Sequence, residues 1–411
     1  MTSMERYDVV IVGAGHGGAQ AAIALRQARF SGSIALIGAE PDLPYERPPL
    51  SKEFLCGDRS FDRMLIRPAQ FWQAQRIQMI CGRTVLAVDA TAHRVTLDDG
   101  ERVEYGRLIW AAGGSPRQLT CAGTELAGVH TVRTRANVER IRNELDTVTD
   151  VVVVGGGFIG LEAAATLCKL GKHVTVLETQ DRVLARVAAE PLSRFYEAEH
   201  RARGVDVRLG ANIERIQGAD GRVSGVRLLN GETLPAQMVI VGIGITPAVD
   251  PLIAAGAGGS NGVAIDATCR TSLPDVFALG DCALHESAFA DGARVRIESV
   301  QNALDHAAII ARHFSGSDLA SSGVPWFWSN QYDLRLQTIG LSVGHDDLVL
   351  RGEPASKRFS LVYLKAGRVV ALDCINAAAD YVQGRSLIVA RACIDRTRLA
   401  DAAVPLKALV R

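Results

Sequence analysis

The sequence lacks long apolar runs and an amino-terminal targeting pattern. The apolar runs at residues 9–12 and 151–154 are far shorter than the roughly 20 residues that a membrane helix needs. The amino terminus also lacks the charged and apolar regions of a secretory signal peptide. We therefore expect a cytoplasmic protein that does not bind membranes.

An excess of charge of either sign is also absent. The chain has 45 Lys and Arg residues and 45 Asp and Glu residues, so its formal net charge at pH 7 is +0. A protein that binds nucleic acid or an anionic membrane through its overall field carries a clear positive excess. We expect no nucleic-acid ligand, and a charged partner would have to contact a local patch.

Paired cysteines are missing as well. The sequence contains no Cys-x-x-Cys and no metal-binding spacing, and its closest two cysteines are Cys269 and Cys282. A flavoprotein that reduces disulfides needs a redox dithiol, for which this sequence offers no candidate. We expect no metal site, and we expect most cysteines to be inert buried residues. The eight are Cys56, Cys81, Cys121, Cys168, Cys269, Cys282, Cys374 and Cys393.

What the sequence does contain, twice, is a glycine motif that follows a β-branched strand and opens an Ala-rich helix. Such glycines allow a tight turn, a close approach of a pyrophosphate to the backbone, and close packing of helix on strand. We predict helices opening at Gly18 and Gly160, whose free N–H groups bind phosphates. The motifs are Gly13-Ala14-Gly15-His16-Gly17-Gly18 and Gly155-Gly156-Gly157-Phe158-Ile159-Gly160.

An acidic residue follows each motif at the end of the next predicted strand. Glu40 and Glu178 lie near the spacing, about 20 residues, at which a carboxylate binds a nucleotide ribose. Two motifs with their strands, helices and acids predict two bound dinucleotides. Glu178 favours NADH over NADPH because a carboxylate repels a 2′-phosphate, although Arg182 nearby could instead pair with one.

The chain length predicts two to three domains. We predict an α/β fold with two Rossmann-like dinucleotide-binding domains and a C-terminal α+β domain. The predicted domains are 1–114 together with 248–324, then 115–247, then 325–411. Predicted elements include strands at 151–154, 173–177, 205–209, 223–229, 238–243, 334–343, 347–351, 358–364 and 368–373, helices at 300–314 and 378–393, and turns at Asn230-Gly231 and Ala366-Gly367.

Several segments together resemble a known family. The chain resembles the pyridine nucleotide-disulfide reductase superfamily, with its glutathione reductase-like architecture. Within it, the match is to FAD-dependent ferredoxin reductases of the putidaredoxin reductase type, which serve cytochrome P-450 and ring-hydroxylating dioxygenase systems. The similarity covers about residues 7–393. It rests on the first glycine motif and on Pro44–Lys52, Gly155–Ala164, Asp275–Ala283, Arg296–Val300 and Pro325–Tyr332.

The resemblance implies a set of functional residues. It implies an FAD site formed by Gly13, Gly15, Gly18, Glu40, Arg47, Lys52, Ala112, Asp281, Val300 and Trp328. It implies an NADH site formed by Gly155, Gly157, Gly160, Glu178, Arg186 and Gly244. Lys52, Glu162 and Trp328 would be the catalytic residues. We further hypothesise that Lys52 and Glu162 form an ion pair that orders the flavin and stabilises its anionic reduced form.

Each of these residues also has a structural interpretation. Arg47 and Lys52 alone would be read as solvated charges, and Trp328 as a packing aromatic. Glu162 would be read as an acid that complements the helix dipole in the first turn. Cys56 could be the single reactive cysteine of a flavin NADH oxidase or peroxidase, although the neighbouring Pro-Pro-Leu-Ser-Lys matches the ferredoxin reductases.

The resemblance implies electron transfer from NADH through FAD to an acidic 2Fe-2S ferredoxin in a transient complex, by a monomer or weak dimer. Alternatives are a flavin oxidase or peroxidase, a reductase of rubredoxin or of a nitrite reductase system, and a regulatory protein similar to apoptosis-inducing factor. A ferredoxin would dock on a basic patch drawn from Arg63, Arg67, Arg312, His313, Arg335 and Lys407.

Overall fold

The computed structural model describes residues 5–317 and 323–409. The part of the chain up to Pro116, called the first segment below, contains β1 (Glu5–Val12), α1 (His16–Gln27), β2 (Ile34–Gly38), α2 (Ala69–Ala74), β3 (Ile77–Cys81), β4 (Val85–Asp89), β5 (Arg94–Leu97), β6 (Arg102–Trp110) and β7 (Gly114–Pro116). The second contains β8 (Val129–Thr131), α3 (Arg135–Glu144), β9 (Asp150–Val154), α4 (Phe158–Lys169), β10 (His173–Leu177), α5 (Glu190–Ala202), β11 (Asp206–Arg208), β12 (Ile213–Ala219), β13 (Arg222–Leu228), β14 (Thr233–Pro235), β15 (Met238–Val241) and β16 (Ile245–Pro247).

The chain continues with α6 (Asp250–Ala254), β17 (Gly259–Ser260), β18 (Gly262–Ala264), β19 (Val276–Ala278), β20 (Ala283–Glu286), β21 (Arg294–Val295) and α7 (Val300–Phe314). It ends with β22 (Trp326–Gln331), β23 (Leu334–Gly340), β24 (Asp347–Glu353), β25 (Arg358–Lys365), β26 (Arg368–Ile375), α8 (Ala378–Val389) and α9 (Arg396–Ala400). None of the helices in the described part of the chain is long and apolar enough to cross a membrane.

The first sheet is built from both ends of the first predicted domain. Its order is β3-β2-β1-β6-β5-β4, and β19 pairs with β6 in parallel, with Val276 opposite Leu108. The chain therefore leaves this sheet after β6, forms the second sheet, and returns to the first. Helices α1 and α7 pack against each other beside the buried strands β1 and β2. This arrangement is the Rossmann-like layering that the first glycine motif predicts.

The second sheet is fully parallel, in the order β11-β10-β9-β15-β8. The strands from β12 to β14 form a separate antiparallel sheet. The predicted turn at Asn230-Gly231 lies between β13 and β14, and Gly231 has a φ of 90°, in the range that glycine adopts without steric cost.

The C-terminal sheet is antiparallel, in the order β22-β23-β26-β25-β24. One face packs with α8 and α9, and the other packs against the second sheet's helices. The predicted strands at 347–351, 358–364 and 368–373 and the two-residue turn at Ala366-Gly367 are confirmed, whereas the strand predicted at 334–343 ends at Gly340. Strand β22 was not predicted, because its Trp-Phe-Trp segment was read as a motif. Helix α8 ends at Val389, before the predicted residue 393.

The helices of both glycine motifs begin earlier than predicted. Helix α1 starts at His16 and α4 starts at Phe158, because Gly15 and Gly157 are the N-cap residues. Glu162 consequently lies in the second turn of α4, and the first-turn dipole interpretation of this residue is wrong.

The last glycine of each motif, Gly18 or Gly160, is a packing residue. A Cβ atom at Gly160 would lie 2.1 Å from the Gly155 carbonyl oxygen, and one at Gly18 would lie 1.9 Å from the Gly13 carbonyl oxygen. A Cβ atom at Gly157 would meet no atom within 4 Å, and Gly157 has an extended φ of −78°.

These two environments predict that alanine destabilises the fold much more at Gly160 than at Gly157. Gly160→Ala forces α4 away from β9 and should lower the free energy of unfolding by about 1–3 kcal/mol. Gly157→Ala, the matched control, should change it by less than about 0.5 kcal/mol, because the poorer N-cap that alanine makes is offset by its lower conformational entropy in the unfolded chain. Urea unfolding of the two variants measures the difference, and equal stabilities would contradict the packing assignment.

Candidate functional site

A single cleft of about 1110 Å³ lies between the first sheet, the second sheet and the C-terminal sheet. Both glycine loops line it, together with Phe327, Trp328 and Thr338 from β22 and β23. A cleft of this size exceeds the roughly 300–1000 Å³ of ordinary small-molecule sites. One continuous space therefore joins the two predicted nucleotide sites.

The structure brings most of the predicted site residues to this cleft. The lining includes Gly13, Gly15, Glu40, Arg47, Lys52, Ala112, Asp281, Val300, Trp328, Gly157, Glu162, Glu178, Arg186 and Gly244. Gly18, Gly155 and Gly160 are outside the lining. Gly155 has a φ of 108° and lies against the Gly242 carbonyl. These three glycines therefore allow the backbone of the loops to pack closely without contacting the cleft.

The glycine loops offer free backbone donors to the cleft. Neither α1 nor α4 has a side-chain cap or an acidic residue in its first turn. The first N–H groups of both helices therefore lack the partners that side chains usually supply. Arg296 also lines the cleft, and its Nε is buried without a hydrogen-bond partner in the described structure. These donors fit dinucleotide pyrophosphates.

The acid of the first motif is already paired. The Glu40 carboxylate accepts hydrogen bonds from the Tyr45 hydroxyl at 2.5 Å and from the Arg47 guanidinium at 2.6 Å. Arg47 also donates to the backbone oxygen of Arg133 at 2.7 Å. Arg47 is thus fixed along the cleft rather than solvated.

Burial also shifts the pKa values of His16 and Asp281 in this half of the cleft. Burial, followed by the charges of Arg47 and Arg133, lowers the pKa of His16 to about 4, so this histidine is neutral at pH 7. Burial raises the pKa of Asp281, and the guanidinium of Arg133 opposes that rise.

Glu162 accepts three hydrogen bonds, all from side chains. The predicted ion pair is present, with Lys52 Nζ 2.6 Å from Glu162 Oε2. The Ser51 hydroxyl donates to the same oxygen at 2.6 Å, and the Ser329 hydroxyl donates to Oε1 at 2.7 Å. Glu162 is only 3% exposed. Its partners come from the first segment and from β22, so Glu162 connects three parts of the chain.

A buried polar chain continues from this carboxylate. Gln331 Nε2 donates to the Ser329 hydroxyl at 3.2 Å, and Gln331 Oε1 faces His200 Nε2 at 2.8 Å. Because the Ser329 proton is directed to Glu162, the Gln331 amide must donate, and His200 must carry its proton on Nε2. Burial lowers the pKa of His200 to about 4. Every donor in this chain therefore points toward Glu162.

The acid of the second motif is bound by backbone. Glu178 Oε2 accepts from the Gly156 N–H at 2.8 Å, and Oε1 accepts from the Gln180 N–H at 2.9 Å. Arg182, the considered phosphate partner, is directed elsewhere, because its guanidinium donates to the carbonyls of Ala185 and Ala188 and to Ser193. Arg182 does not line the cleft.

Trp328 is half-buried and belongs to an aromatic cluster at the C-terminal wall of the cleft. Its ring centroid lies 5.3 Å from that of Trp326 and 6.5 Å from that of Phe327. Phe327 in turn lies 4.7 Å from Phe158, the first residue of α4. The tryptophan therefore faces the cleft and is not a closed core residue.

The site contains no cysteine that could take part in a reaction. All eight cysteines fall within the described residues, all are free, and none lines the cleft. Cys56 contacts Asp58 instead, and burial followed by this contact raises the pKa of its thiol. A raised thiol pKa lowers the fraction of reactive thiolate, which argues against an oxidase or peroxidase based on Cys56.

The predicted docking residues lie away from the cleft lining. In the described part of the chain, residues 5–317 and 323–409, none of these six predicted docking residues forms an ion pair with a carboxylate. No neighbouring acid therefore neutralises the basic side chains among them. His313 packs instead on Phe277 and Phe314. It lies near the end of α7, about 20 Å along the helix axis from Val300 at the cleft. The six are Arg63, Arg67, Arg312, His313, Arg335 and Lys407.

Sequence reasoning missed several lining or supporting residues. Ser51 and Ser329 lie inside segments that carried the resemblance, so those segments could have suggested them. Arg133 and Thr338 lie in no recognised motif, and only the folded chain brings them to the cleft.

Comparisons with known proteins agree with this geometry. A family model described as pyridine nucleotide-disulphide oxidoreductase matches residues 7–307, and one described as Reductase C-terminal matches residues 326–410. A ferredoxin–NAD(P)(+) reductase of Sphingomonas sp. is 57% identical over 402 residues, which cover 98% of this chain and 97% of the relative.

Two further relatives point the same way. The 5,5′-dehydrodivanillate O-demethylase ferredoxin reductase subunit of Sphingobium sp. (strain NBRC 103272 / SYK-6) is 55% identical over 99% of each chain. The crystal structure of a covalent putidaredoxin reductase–putidaredoxin complex matches with a TM-score of 0.95 and 39% identity, over 99% of this chain and 98% of that chain. The chain therefore belongs to the pyridine nucleotide-disulphide oxidoreductase family, whose members are oxidoreductases that bind FAD and NAD(P)H.

Proposed function

We propose that this protein is an NADH-dependent ferredoxin reductase that serves a cytochrome P-450 or a ring-hydroxylating oxygenase. It takes a hydride from NADH onto FAD and passes electrons singly to an acidic 2Fe-2S ferredoxin. The main supporting observation is one thiol-free cleft that both glycine loops line. FAD, when bound, supplies the conversion between a two-electron donor and a one-electron acceptor.

The residues of the cleft have distinct tasks in this proposal. Residues 1–114 and 248–324 bind FAD, residues 115–247 bind NADH, and residues 325–411 cover the flavin. The first loop, with Glu40 and Arg47, binds the FAD pyrophosphate and ribose, and Asp281 and the start of α7 at Val300 bind its flavin half. The second loop, with Glu178, Arg186 and Gly244, binds NADH. Trp328 closes the flavin region against water.

Lys52 and Glu162 form the catalytic pair. Lys52 would provide a positive charge to a flavin bound in the cleft, and Glu162, held by Ser51 and Ser329, fixes the position of that charge. A preorganised charge in a water-poor site stabilises developing negative charge strongly.

Lys52→Met is therefore expected to slow hydride transfer from NADH by at least about tenfold. It should also lower the free energy of unfolding by about 3 kcal/mol, because it leaves a buried carboxylate without its cation. Anaerobic stopped-flow reduction of the flavin measures the rate, and urea unfolding measures the stability.

Lys169→Met is the matched control. Lys169 is on α4 like Glu162, but it pairs with Asp58 at an exposed site. This variant should retain the wild-type rate and stability. An unchanged hydride-transfer rate in Lys52→Met would refute the catalytic role of Lys52.

The preference for NADH follows from the charges near Glu178. This carboxylate faces the second nucleotide site, and Arg182 is bound to backbone carbonyls. A 2′-phosphate would thus meet a carboxylate with no compensating guanidinium from Arg182.

Glu178→Gln is expected to lower the ratio of kcat/KM for NADH to that for NADPH by about tenfold. The substitution removes the repulsion and weakens the bond to the ribose. Glu232→Gln, in the same predicted domain but outside the cleft lining, should leave the ratio unchanged. A wild-type enzyme that prefers NADPH would contradict the assignment.

Docking of an acidic ferredoxin on unneutralised basic residues predicts a dependence on salt. Raising ionic strength above about 0.15 M should lower the rate of ferredoxin reduction, because added ions screen the attraction. Reduction of ferricyanide, which needs no docking surface, should change much less.

The test begins with anaerobic titration of the yellow holoenzyme by NADH, followed by mixing with candidate 2Fe-2S ferredoxins at several salt concentrations. Equal salt dependence for ferredoxin and ferricyanide would exclude the basic patch. Failure to reduce any such ferredoxin would exclude the proposed function.

A further inference from the structure

Two polar side chains are buried near the cleft without lining it. His200 on α5 and Gln331 at the end of β22 are 0% and 1% exposed, and neither belongs to the cleft lining. The interface between α5 and the C-terminal sheet is otherwise largely apolar, with Leu192 and Leu334 in one core. An imidazole and an amide buried there cost free energy unless they are hydrogen-bonded, so their hydrogen bonds indicate what they do.

The protons of this pair can be placed along a single chain. His200 Nε2 donates to Gln331 Oε1 at 2.8 Å, and Gln331 Nε2 donates to the Ser329 oxygen at 3.2 Å. The Ser329 proton goes to Glu162 Oε1. At the other end, the Tyr332 hydroxyl lies 3.1 Å from His200 Nδ1 and must donate, because Nδ1 of this tautomer is an acceptor. The four hydrogen bonds therefore run in one direction, from Tyr332 to Glu162, and each polarises the next.

The opposite orientation of the Gln331 amide would work against Glu162. It would turn Oε1 toward the Ser329 oxygen, and that carbonyl would compete with Glu162 for the only Ser329 proton. The His200 N–H binds Oε1 and so holds the amide in the orientation that donates to Ser329. Burial lowers the pKa of His200 to about 4, so at pH 7 the ring is neutral and Nδ1 can accept from Tyr332.

Tyr332 occupies its position at a cost in backbone strain. It is one of two loop residues between Gln331 and Leu334, which pair across β22 and β23, and its φ is 55°. Such loops prefer glycine or asparagine at positive φ, and a bulky residue there is strained. The Arg203 guanidinium lies 4.3 Å from the centre of the Tyr332 ring. Burial raises the pKa of the Tyr332 hydroxyl, which therefore keeps its proton. Strain retained at such a residue indicates a use for its side chain.

At its cleft end the chain holds one oxygen of Glu162. The only donor to Oε1 among residues 5–317 and 323–409 is Ser329, whereas Oε2 accepts from Ser51 and Lys52. Because both oxygens belong to one rigid carboxylate, the bond from Ser329 sets the angle at which Oε2 meets the Lys52 ammonium. The position of the Lys52 charge in the cleft therefore depends on the chain behind Ser329.

We propose that Tyr332, His200 and Gln331 are positioning residues for hydride transfer, an inference that rests on the proposed function. They act through Ser329 and hold the Glu162 carboxylate at the angle that fixes the Lys52 charge. None of the three lines the cleft. A preorganised charge stabilises reduced flavin only from the right place, and a displacement of about 1 Å can cost on the order of 100-fold in rate.

The first test measures the bound flavin without turnover. Equilibration of the holoenzyme with a redox dye of known potential gives the reduction potential of the flavin, with neither NADH nor ferredoxin present. In Gln331→Met and His200→Leu, displacement of the Lys52 charge should make this potential more negative by about 30 mV, which is a tenfold change in the two-electron equilibrium constant. Residues that only stabilise the fold would leave the potential unchanged.

The second test separates NADH binding from hydride transfer. In anaerobic stopped flow, both variants should reduce their flavin about tenfold more slowly than wild type at saturating NADH. The NADH concentration that gives half of the maximal rate should stay within about twofold of wild type. His200→Gln supplies an amide N–H in place of Nε2 and should restore the wild-type potential and rate. A His200→Gln enzyme as slow as His200→Leu would overturn the proposal.

Tyr332→Phe tests the far end of the chain without opening a buried cavity. It keeps the ring against Arg203 and removes only the hydroxyl, so it should fold normally and slow hydride transfer about threefold. Ser360→Ala is the matched control, because it removes a buried hydroxyl of the same sheet that donates to Asp380 at 2.9 Å. This control should keep the wild-type potential and rate.

The outcomes of these tests are separable. A wild-type rate in Tyr332→Phe would overturn the proposal by itself, as would wild-type potentials in Gln331→Met and His200→Leu. Equal changes in Ser360→Ala would show a general loosening of the sheet and would overturn it too. A wild-type enzyme that takes a hydride from NADH but reduces no 2Fe-2S ferredoxin would refute the proposed function and leave both flavin measurements readable.

Discussion

The arrangement of the cleft depends on one buried carboxylate. Glu162 lies on α4, which follows strand β9 of the second sheet. Its oxygens nevertheless accept hydrogen bonds from Ser51 and Lys52 of the first segment and from Ser329 of the C-terminal sheet. A charge buried to this extent must have all of its partners in place, because an unpaired buried charge costs several kcal/mol. The three segments that surround this part of the cleft are therefore held together by the hydrogen-bonding requirements of a single side chain.

The two nucleotide loops share a backbone and differ in how their acids are held. Gly13 and Gly155 have the same φ of 108°, and both helices begin one residue after a glycine N-cap. Glu40 is neutralised by Arg47, whereas Glu178 is bound only by backbone N–H groups and the Thr179 hydroxyl. The first site consequently combines a carboxylate with a guanidinium, and the second presents a carboxylate that no side chain within residues 5–317 and 323–409 neutralises.

Much of the fold could be predicted because its signals are local. Helix α7 has the predicted bounds of 300 and 314, and strands β9, β10 and β23–β26 lie where the apolar patterns placed them. The predicted starts of α1 and α4 were two residues too late, because the role of Gly15 and Gly157 as N-caps depends on where the strand's hydrogen bonds end. For the site, most of the predicted residues line the cleft, whereas Gly18, Gly155 and Gly160 do not. The partners of Arg182 could not be predicted, since they include carbonyls of a loop whose course no periodicity reveals.

The sequence by itself determined the two glycine turns, the acids that follow them and the absence of a dithiol, because each depends on residues close together in the chain. Only the tertiary structure decided which distant side chains meet: Lys52 with Glu162, Ser329 with the same carboxylate, and His200 with Gln331 and Tyr332. These contacts join segments far apart in sequence, and their energies come from burial between packed layers. That burial exists only after the three sheets have assembled, and therefore no local pattern could specify it.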